Sequence, residues 1–472
     1  MKSILKVIIF SLIFLCLFTV WCDIIYPNTS IFDGRNENSY MNYAGVENLP
    51  SGSLDYAAIG SSNIYLNINP IEILENYGII GCNYTAPTQP LYISYYYLCE
   101  LLKQQKPKVV ILDCYGITYM HAAWESYAHL ALDYFPLNRE KQKVINKLPY
   151  NSEEFYFPFT LYHSRWNSLY KSDFIGLQYD INEDFLGYVP TTTSVECGMP
   201  LLSIDLGEKF EIPEDNIKAL DDIRELCNTN AIELVLIKTP NASWTVNCSD
   251  ACEEYAKQYD IPYIDFNGYK SPIDIDIKTD FCDGGAHLNI YGANKVSNYL
   301  GLYLKENYNM LDKSKENVFH YFQDYDKRLN HYLSVFDMKQ IQDFKSYVEA
   351  IDDNFYILIA GRNDENSQMI VEYLKEEYQC NISGWAYNGI VDGNKIIEEN
   401  GDEISCIEKK IGDDIFYLET NNAEGKKTLK IQVNYQNYAK DGIFDVVIYD
   451  KMYNKVVDTF CIQNDEMLSI YR

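Results

Sequence analysis

Between residues 50 and 308, short apolar runs alternate with longer helical ones, and this alternation limits the possible folds more than any other feature of the chain. Tyr56 to Gly60 reads as a short buried strand ending in a turn. Tyr92 to Gln105 reads as a helix, broken by Lys106-Pro107-Lys108, and Val109 to Leu112 as a second buried strand. A helix over Ile217 to Thr229 leads to the strand Leu234 to Ile237. Ser249 to Tyr259 and Pro262 to Phe266 repeat the pattern, and a helix over Asn289 to Glu306 closes it. Such alternation implies an α/β three-layer sandwich, with a mostly parallel sheet covered on both faces. Ligands of such sheets sit beyond the carboxyl ends of the strands. The run Gly60-Ser61-Ser62-Asn63 follows the first strand at that edge.

The chain opens Met1-Lys2-Ser3-Ile4-Leu5-Lys6 and stays apolar from Val7 to Trp21 apart from Ser11 and Thr19. Counted from Ile4 to Cys22, with Lys6 snorkelling, the segment reaches the roughly 20 residues of a membrane span. No small-x-small cleavage site follows, and Trp21 before Cys22 fits a lipobox poorly. Residues 1–22 are therefore expected to be an uncleaved single-pass anchor, with secretion after signal cleavage as the alternative. Lys2 and Lys6 favour the cytoplasm, which puts the rest of the chain outside.

A net charge of −29 argues against nucleic-acid binding, which needs clustered Lys and Arg. The 43 tyrosines suit sugar stacking but also follow from an AT-rich genome. Eleven of the 13 cysteines lie beyond the anchor, an odd number without the spacing of a disulfide scaffold, so mostly free thiols are expected. Cys248 and Cys252 have no His or Cys partners at zinc-like spacing. No metal site and no cofactor are expected.

Chemistry concentrates in two places. Ser62, or Ser61 beside it, is a candidate nucleophile. Asp283-Gly284-Gly285-Ala286-His287-Leu288-Asn289 supplies a candidate base and acid near the end of the same block. A hydroxyl attacks near neutral pH only with a base in hydrogen-bond reach and a third group fixing the imidazole. The carboxylates available to orient His287 are Asp283, four residues before it, and Asp280, seven before it. His121, His129, His320 and His331 have no partner at diagnostic spacing.

The Gly-Ser-Ser block after a strand, together with His287-Leu288-Asn289-x-x-Gly292, resembles the SGNH (GDSL-like) hydrolase and acyltransferase superfamily. It is most similar to membrane-anchored members acting in teichoic-acid D-alanylation and exopolysaccharide acetylation, where Gly-Ser-Ser often replaces Gly-Asp-Ser. The resemblance places the nucleophile at Ser62 and the base at His287. The superfamily's acid normally lies three residues before the histidine, where this chain has Gly284, so Asp283 is expected to take that role through a loop one residue longer. It implies an oxyanion hole of the Ser62 N–H, a glycine N–H matched by Gly81, and an asparagine. The third block here reads Asp113-Cys114-Tyr115-Gly116 and contains no asparagine, which leaves Asn83 and Gln89 as substitutes. Losing one donor costs roughly 100- to 1000-fold in rate, which fits transfer to a specific acceptor better than vigorous hydrolysis.

The resemblance thus implies serine-dependent acyl transfer or ester hydrolysis on O-acyl groups of a cell-surface polysaccharide, with a membrane-bound acyltransferase as partner. The rival expectation is a non-catalytic glycan-binding or envelope-assembly protein with a degenerate SGNH fold. Within Tyr162-His163-Ser164-Arg165-Trp166 lies the pattern His-x-Arg-Trp, which recurs in similar anchored proteins. His163, Arg165 and Trp166 are therefore candidate substrate contacts, with Arg165 able to clamp an anion and Trp166 to stack on a sugar.

The expected organisation is an SGNH-like domain over residues 23–310, with an aromatic insertion at 135–200 lying over the site. A helical connector follows at 311–350, then a β-rich α+β accessory domain at 351–472. In the last, Asp441 to Asp450 and Lys455 to Asp458 resemble the closing hairpin of interleukin-like EMT inducer domains.

Overall fold

The computed structural model describes residues 2–25, 38–121, 124–167, 169, 174, 181, 184–203, 209–393, 395–401, 405–423 and 426–472. They form two compact units, Met1–Asn330 and His331–Arg472.

The first unit begins with helix α1 (Lys2–Ile25), whose Ile4–Cys22 stretch has a mean hydropathy of 2.6 and is not buried against protein. Helix α2 (Asn38–Asn48) precedes the first strand, β1 (Tyr56–Gly60). A single turn, α3 (Ser62–Tyr65), follows at once, then α4 (Pro70–Tyr77), β2 (Gly81–Thr85), α5 (Leu91–Leu101) and β3 (Val109–Asp113). Four short helices come next, α6 (Glu125–Leu132), α7 (Arg139–Ile145), α8 (Ser152–Tyr156) and α9 (Pro158–Tyr162), and a 3₁₀ turn over His163–Asn167. The alternation resumes with α10 (Glu214–Thr229), β4 (Glu233–Lys238), α11 (Val246–Gln258), β5 (Tyr263–Asp265) and α12 (Ile290–Tyr308).

The five strands form one parallel sheet in the order β2-β1-β3-β4-β5. All residues of β1, β2 and β3 are buried, which is why these strands carry no polar alternation. The expected α/β sandwich is the observed one. The chain runs from β1 outward to β2 and returns past β1 to β3, so the strand order reverses at β1, and the carboxyl ends there are where sheets of this kind bind their ligands. Helix ends are set locally. Asn69 caps α4 through the Ile71 N–H, with Pro70 in the first turn, and Gly78 at φ +63° ends it. Asn289 caps α12 through the N–H groups of Tyr291 and Gly292.

The boundary between the units falls within α13 (Tyr325–Met338). The second unit continues with α14 (Phe344–Ala350), β6 (Phe355–Arg362) and α15 (Gln368–Tyr378). Then come β7 (Ala386–Asp392), β8 (Lys395–Asn400), β9 (Ser405–Ile411), β10 (Asp414–Ala423), β11 (Lys426–Val433), β12 (Gln436–Asn437), β13 (Phe444–Asp450), β14 (Lys455–Ile462) and β15 (Ile470–Tyr471). A six-stranded antiparallel sheet, β15-β14-β13-β6-β7-β8, and a four-stranded one, β12-β11-β10-β9, divide the strands. Strand β6 shows the layering through its period of two. Ile357 and Ile359 pack with Phe344, Tyr347 and Leu374 of the helices, while Leu358 and Ala360 pack with Phe416, Leu418 and Ile431 of the smaller sheet. Within 311–350, the stretch expected to be a helical connector, Val335, Met338, Phe344 and Tyr347 are buried in the core of the second unit. Asp441 to Asp458 does form a hairpin, β13–β14, with a register shift at Ile448/Tyr449.

Candidate active site

Strand β1 ends at Gly60, and a Cβ there would lie 2.8 Å from the Cβ of Asp113 on β3, so only glycine lets the two strand ends close up. Ser61 is the N-cap residue of α3, and Ser62 is its first residue, at the switch point of the sheet. Ser62 Oγ lies 2.8 Å from His287 Nε2, and His287 Nδ1 lies 2.6 Å from Asp283 Oδ2. The two ends of the α/β block thus meet in one hydrogen-bonded row.

The loop carrying Asp283 and His287 explains the extra residue. Asp283 Oδ1 accepts from the backbone N–H groups of Ala286 and His287 at 3.0 and 2.9 Å, so the carboxylate folds its own loop while holding the imidazole. Gly284 at φ +83° and Gly285 at φ +127° make the tight hoop, and a Cβ on Gly285 would meet Cys197 Sγ at 2.6 Å and Ala242 Cβ at 2.9 Å. Burial alone pushes the Asp283 carboxyl up. The hydrogen bond and charge of His287 and the two backbone N–H groups outweigh it and hold the group below the ordinary carboxylate range. Asp280 is elsewhere: it is buried, accepts from the Asp276 N–H and pairs with Lys295 at 2.6 Å, bracing the entry to α12. Ser61 is buried, 3.5 Å from the Asn63 amide, and is not bonded to His287.

The expected oxyanion donors are corrected by the strand register. Gly81 opens β2 opposite Tyr56, the first residue of β1, and so lies at the amino end of the sheet, away from Ser62. It is glycine because the Tyr56 ring occupies the space of its Cβ. Asn83 pairs with Ala58 in mid-strand, and its amide donates to the carbonyls of Ile68 and Ile64 at 2.8 and 3.4 Å. Gln89 is buried with its amide donating to Ser94 Oγ at 2.9 Å. The first-turn N–H of Ser62 remains as an expected donor, since such groups have no acceptor within their own helix.

The expected substrate contacts are also displaced. Arg165 Nη1 donates to the Ile25 carbonyl at 2.7 Å, at the carboxyl end of α1. His163 Nδ1 contacts the Thr160 carbonyl at 2.8 Å, and Trp166 is 63% exposed. None of the three is hydrogen-bonded to Ser62, His287 or Asp283. This end of the aromatic insertion rests on the apolar helix instead, where Phe159 meets Phe18 with ring centroids 5.1 Å apart. The far end of the insertion does reach the site. Val195 and Cys197 donate backbone N–H groups to Phe281 and Ile277, and Thr193 O accepts from Asn289.

Beneath Ser62 lies a buried polar network that motif reading missed. Lys238 Nζ donates to Asn63 Oδ1 at 3.1 Å and stands 3.7 Å from Asp113 Oδ1, with both charged side chains excluded from solvent. Asn241 joins Asn63 Oδ1 to the Ala286 carbonyl, and Asn67 Oδ1 accepts from the Leu288 N–H at 2.8 Å. Burial pushes Asp113 up and Lys238 down, and their mutual attraction offsets part of each shift. The available signal was the placement of Lys238-Thr239-Pro240-Asn241 directly after an apolar strand, at the carboxyl edge. Among the described residues no disulfide is formed.

The parallel sheet in the order 2-1-3-4-5 thus carries a serine directly after its first strand and an Asp–His pair directly before α12. No protein-family model matches the chain, and no curated protein does. Solved structures similar to it include a candidate acylhydrolase from Bacteroides fragilis (12% identity, 58% of this chain and 98% of that one, TM-score 0.29). A candidate lipolytic protein of the G-D-S-L family from Desulfitobacterium hafniense is similar at 12% identity, over 52% of this chain and 97% of its own, with a TM-score of 0.28. A GDSL-like lipase from Bacteroides thetaiotaomicron is similar at 12% identity, over 57% and 99%, with a TM-score of 0.28.

Proposed function

We propose that the protein is a serine-dependent O-acyl esterase or acyltransferase, held at the outer face of a membrane and acting on O-acyl groups of a cell-surface polysaccharide. The observation that carries the chemical part is the unbroken row Ser62–His287–Asp283. His287 Nε2 removes the Ser62 proton as Oγ attacks the acyl carbon. The tetrahedral oxyanion takes a hydrogen bond from the Ser62 N–H. The carbon–oxygen bond to the leaving alcohol breaks, and that oxygen takes the proton from His287. A sugar hydroxyl or water then gives its proton to His287 and attacks the acyl-serine, and Ser62 recovers its proton.

The location rests on α1, an exposed apolar helix long enough to span a bilayer. Arg165 and Phe159 hold its outer end against the same unit that carries the triad. A membrane-bound acyltransferase partner would supply the acyl group. A glycan-binding protein without catalysis would have no need for a hydrogen-bonded serine base, and this favours the enzyme. The test is fluorophosphonate labelling of the full chain in detergent, beside Ser62→Ala and His287→Ala. Labelling of the wild type alone supports the proposal, while equal behaviour of all three refutes it.

A further inference from the structure

We propose that Glu125, His129 and Glu154 bind one divalent transition-metal ion of the zinc type, at a site apart from the triad. Glu125 and His129 are four residues apart on α6 and so share one face, while Glu154 comes from α8. One ligand atom from each lies within 4.8 Å of the others. A tetrahedral ion bound at about 2.0–2.2 Å spaces its ligands by about 3.4 Å, so small carboxylate rotations close the set.

The second observation is the state of His129. Its side chain is 6% exposed, and Nδ1 sits 2.9 Å from Asp133 Oδ2, itself almost wholly buried. The ring stacks on Phe155 with centroids 3.9 Å apart and planes 1° from parallel. Nε2 is buried and has no hydrogen-bond partner. With Nδ1–H donating to Asp133, Nε2 carries a lone pair toward two carboxylates, which offer only more lone pairs. A cation answers all three at once. A carboxylate behind a histidine is also the arrangement that fixes metal-bound imidazoles. One imidazole and two carboxylates suit borderline ions such as Zn²⁺ better than Mg²⁺ or Ca²⁺, which prefer oxygen alone. Glu125 and Glu154 are half-buried, which leaves room for water as a fourth ligand. The site joins α6 to α8, so the ion is a clip on the insertion. Glu154 lies 25 residues beyond His129 on a separate helix, which is why no spacing rule disclosed the set.

The test uses the full chain in detergent, stripped with a chelator and titrated with Co²⁺, then with competing Zn²⁺ in excess Mg²⁺. Cobalt separates this site from the free thiols. The proposal expects one ion per chain with visible ligand-field bands and no thiolate charge-transfer band. It also expects binding weakened at least tenfold in Glu154→Gln and Glu125→Gln, 10- to 100-fold in Asp133→Asn, and a higher melting temperature with zinc. Cobalt bound only through thiolates, equal binding by wild type and the glutamine variants, or no binding would each overturn it. An imidazolium paired with the glutamates, the rival state of His129, would show as no binding.

Discussion

Asp283→Asn tests the triad at its most informative atom. In the wild type, Asp283 Oδ1 accepts two backbone N–H groups at 3.0 and 2.9 Å, and Oδ2 faces His287 Nδ1 at 2.6 Å. An asparagine must keep its oxygen on the two N–H donors, or the loop loses both bonds. Its NH₂ then faces Nδ1 and can only donate, so Nδ1 becomes the acceptor and Nε2 takes the proton. Nε2–H now points at Ser62 Oγ, 2.8 Å away, and can no longer remove its proton. The loop stays folded while the base is lost. Inversion of a triad tautomer is worth about 10⁴ in rate, or about 5.5 kcal/mol of transition-state stabilisation. The assay is the second-order rate of fluorophosphonate labelling, with Asp280→Asn as control. Asp280 holds Lys295 and the Asp276 N–H, so that variant is expected to melt lower and to label within a few-fold of wild type. If Asp283→Asn labels within tenfold of wild type, or Asp280→Asn is the dead variant, the tautomer reasoning is wrong.

Other perturbations follow from the same contacts. Because the Asp283 carboxyl is held below its ordinary value, its contribution to stability is complete above the unfolded-state value of about 3.9 and lost as pH falls through the folded one. The melting-temperature gap between wild type and Asp283→Asn should therefore be constant from about pH 7 to pH 5 and close below about pH 4, whereas a gap widening in acid would contradict the shift. Lys238→Met leaves Asp113 buried without a counter-charge and should cost about 3–5 kcal/mol in chemical denaturation. The double variant Lys238→Met, Asp113→Leu should recover much of that loss, and additive losses would show the pair is not coupled. Gly285→Ala should cost about 2–6 kcal/mol from backbone strain and overpacking against Cys197 and Ala242. Gly284→Ala, with nothing nearer than 3.9 Å, should cost only about 1–2 kcal/mol, and the reverse order would refute this account of the loop.

The sheet was legible because strands buried on both faces write unbroken apolar text, as in Val109 to Leu112. The Ser62–His287 pairing was legible because parallel sheets gather chemistry at one edge. Gly81 was misplaced because Ile79 and Ile80 are as buried as any strand residue yet form the entry loop, where the Ile80 carbonyl accepts from Asp55 and Tyr56. The strand therefore starts at Gly81 rather than ending before it. Asn63, Lys238 and Asn241 were invisible as a set because only the order of β1, β3 and β4 joins residues some 175 positions apart. His163, Arg165 and Trp166 carried the right chemistry for a ligand, but the groups that His163 and Arg165 meet belong to α9 and α1, and Trp166 is exposed. Such pairings are tertiary facts, with no local period to announce them.

The hoop from Asp283 to His287 gives the protein a simple mechanical property. Three bonds to Asp283 close the hoop within five residues, two of them from His287 and one from the Ala286 N–H, while the alcohol stands on the sheet. A small displacement of that hoop would part the proton acceptor from the nucleophile and leave the imidazole still oriented by Asp283.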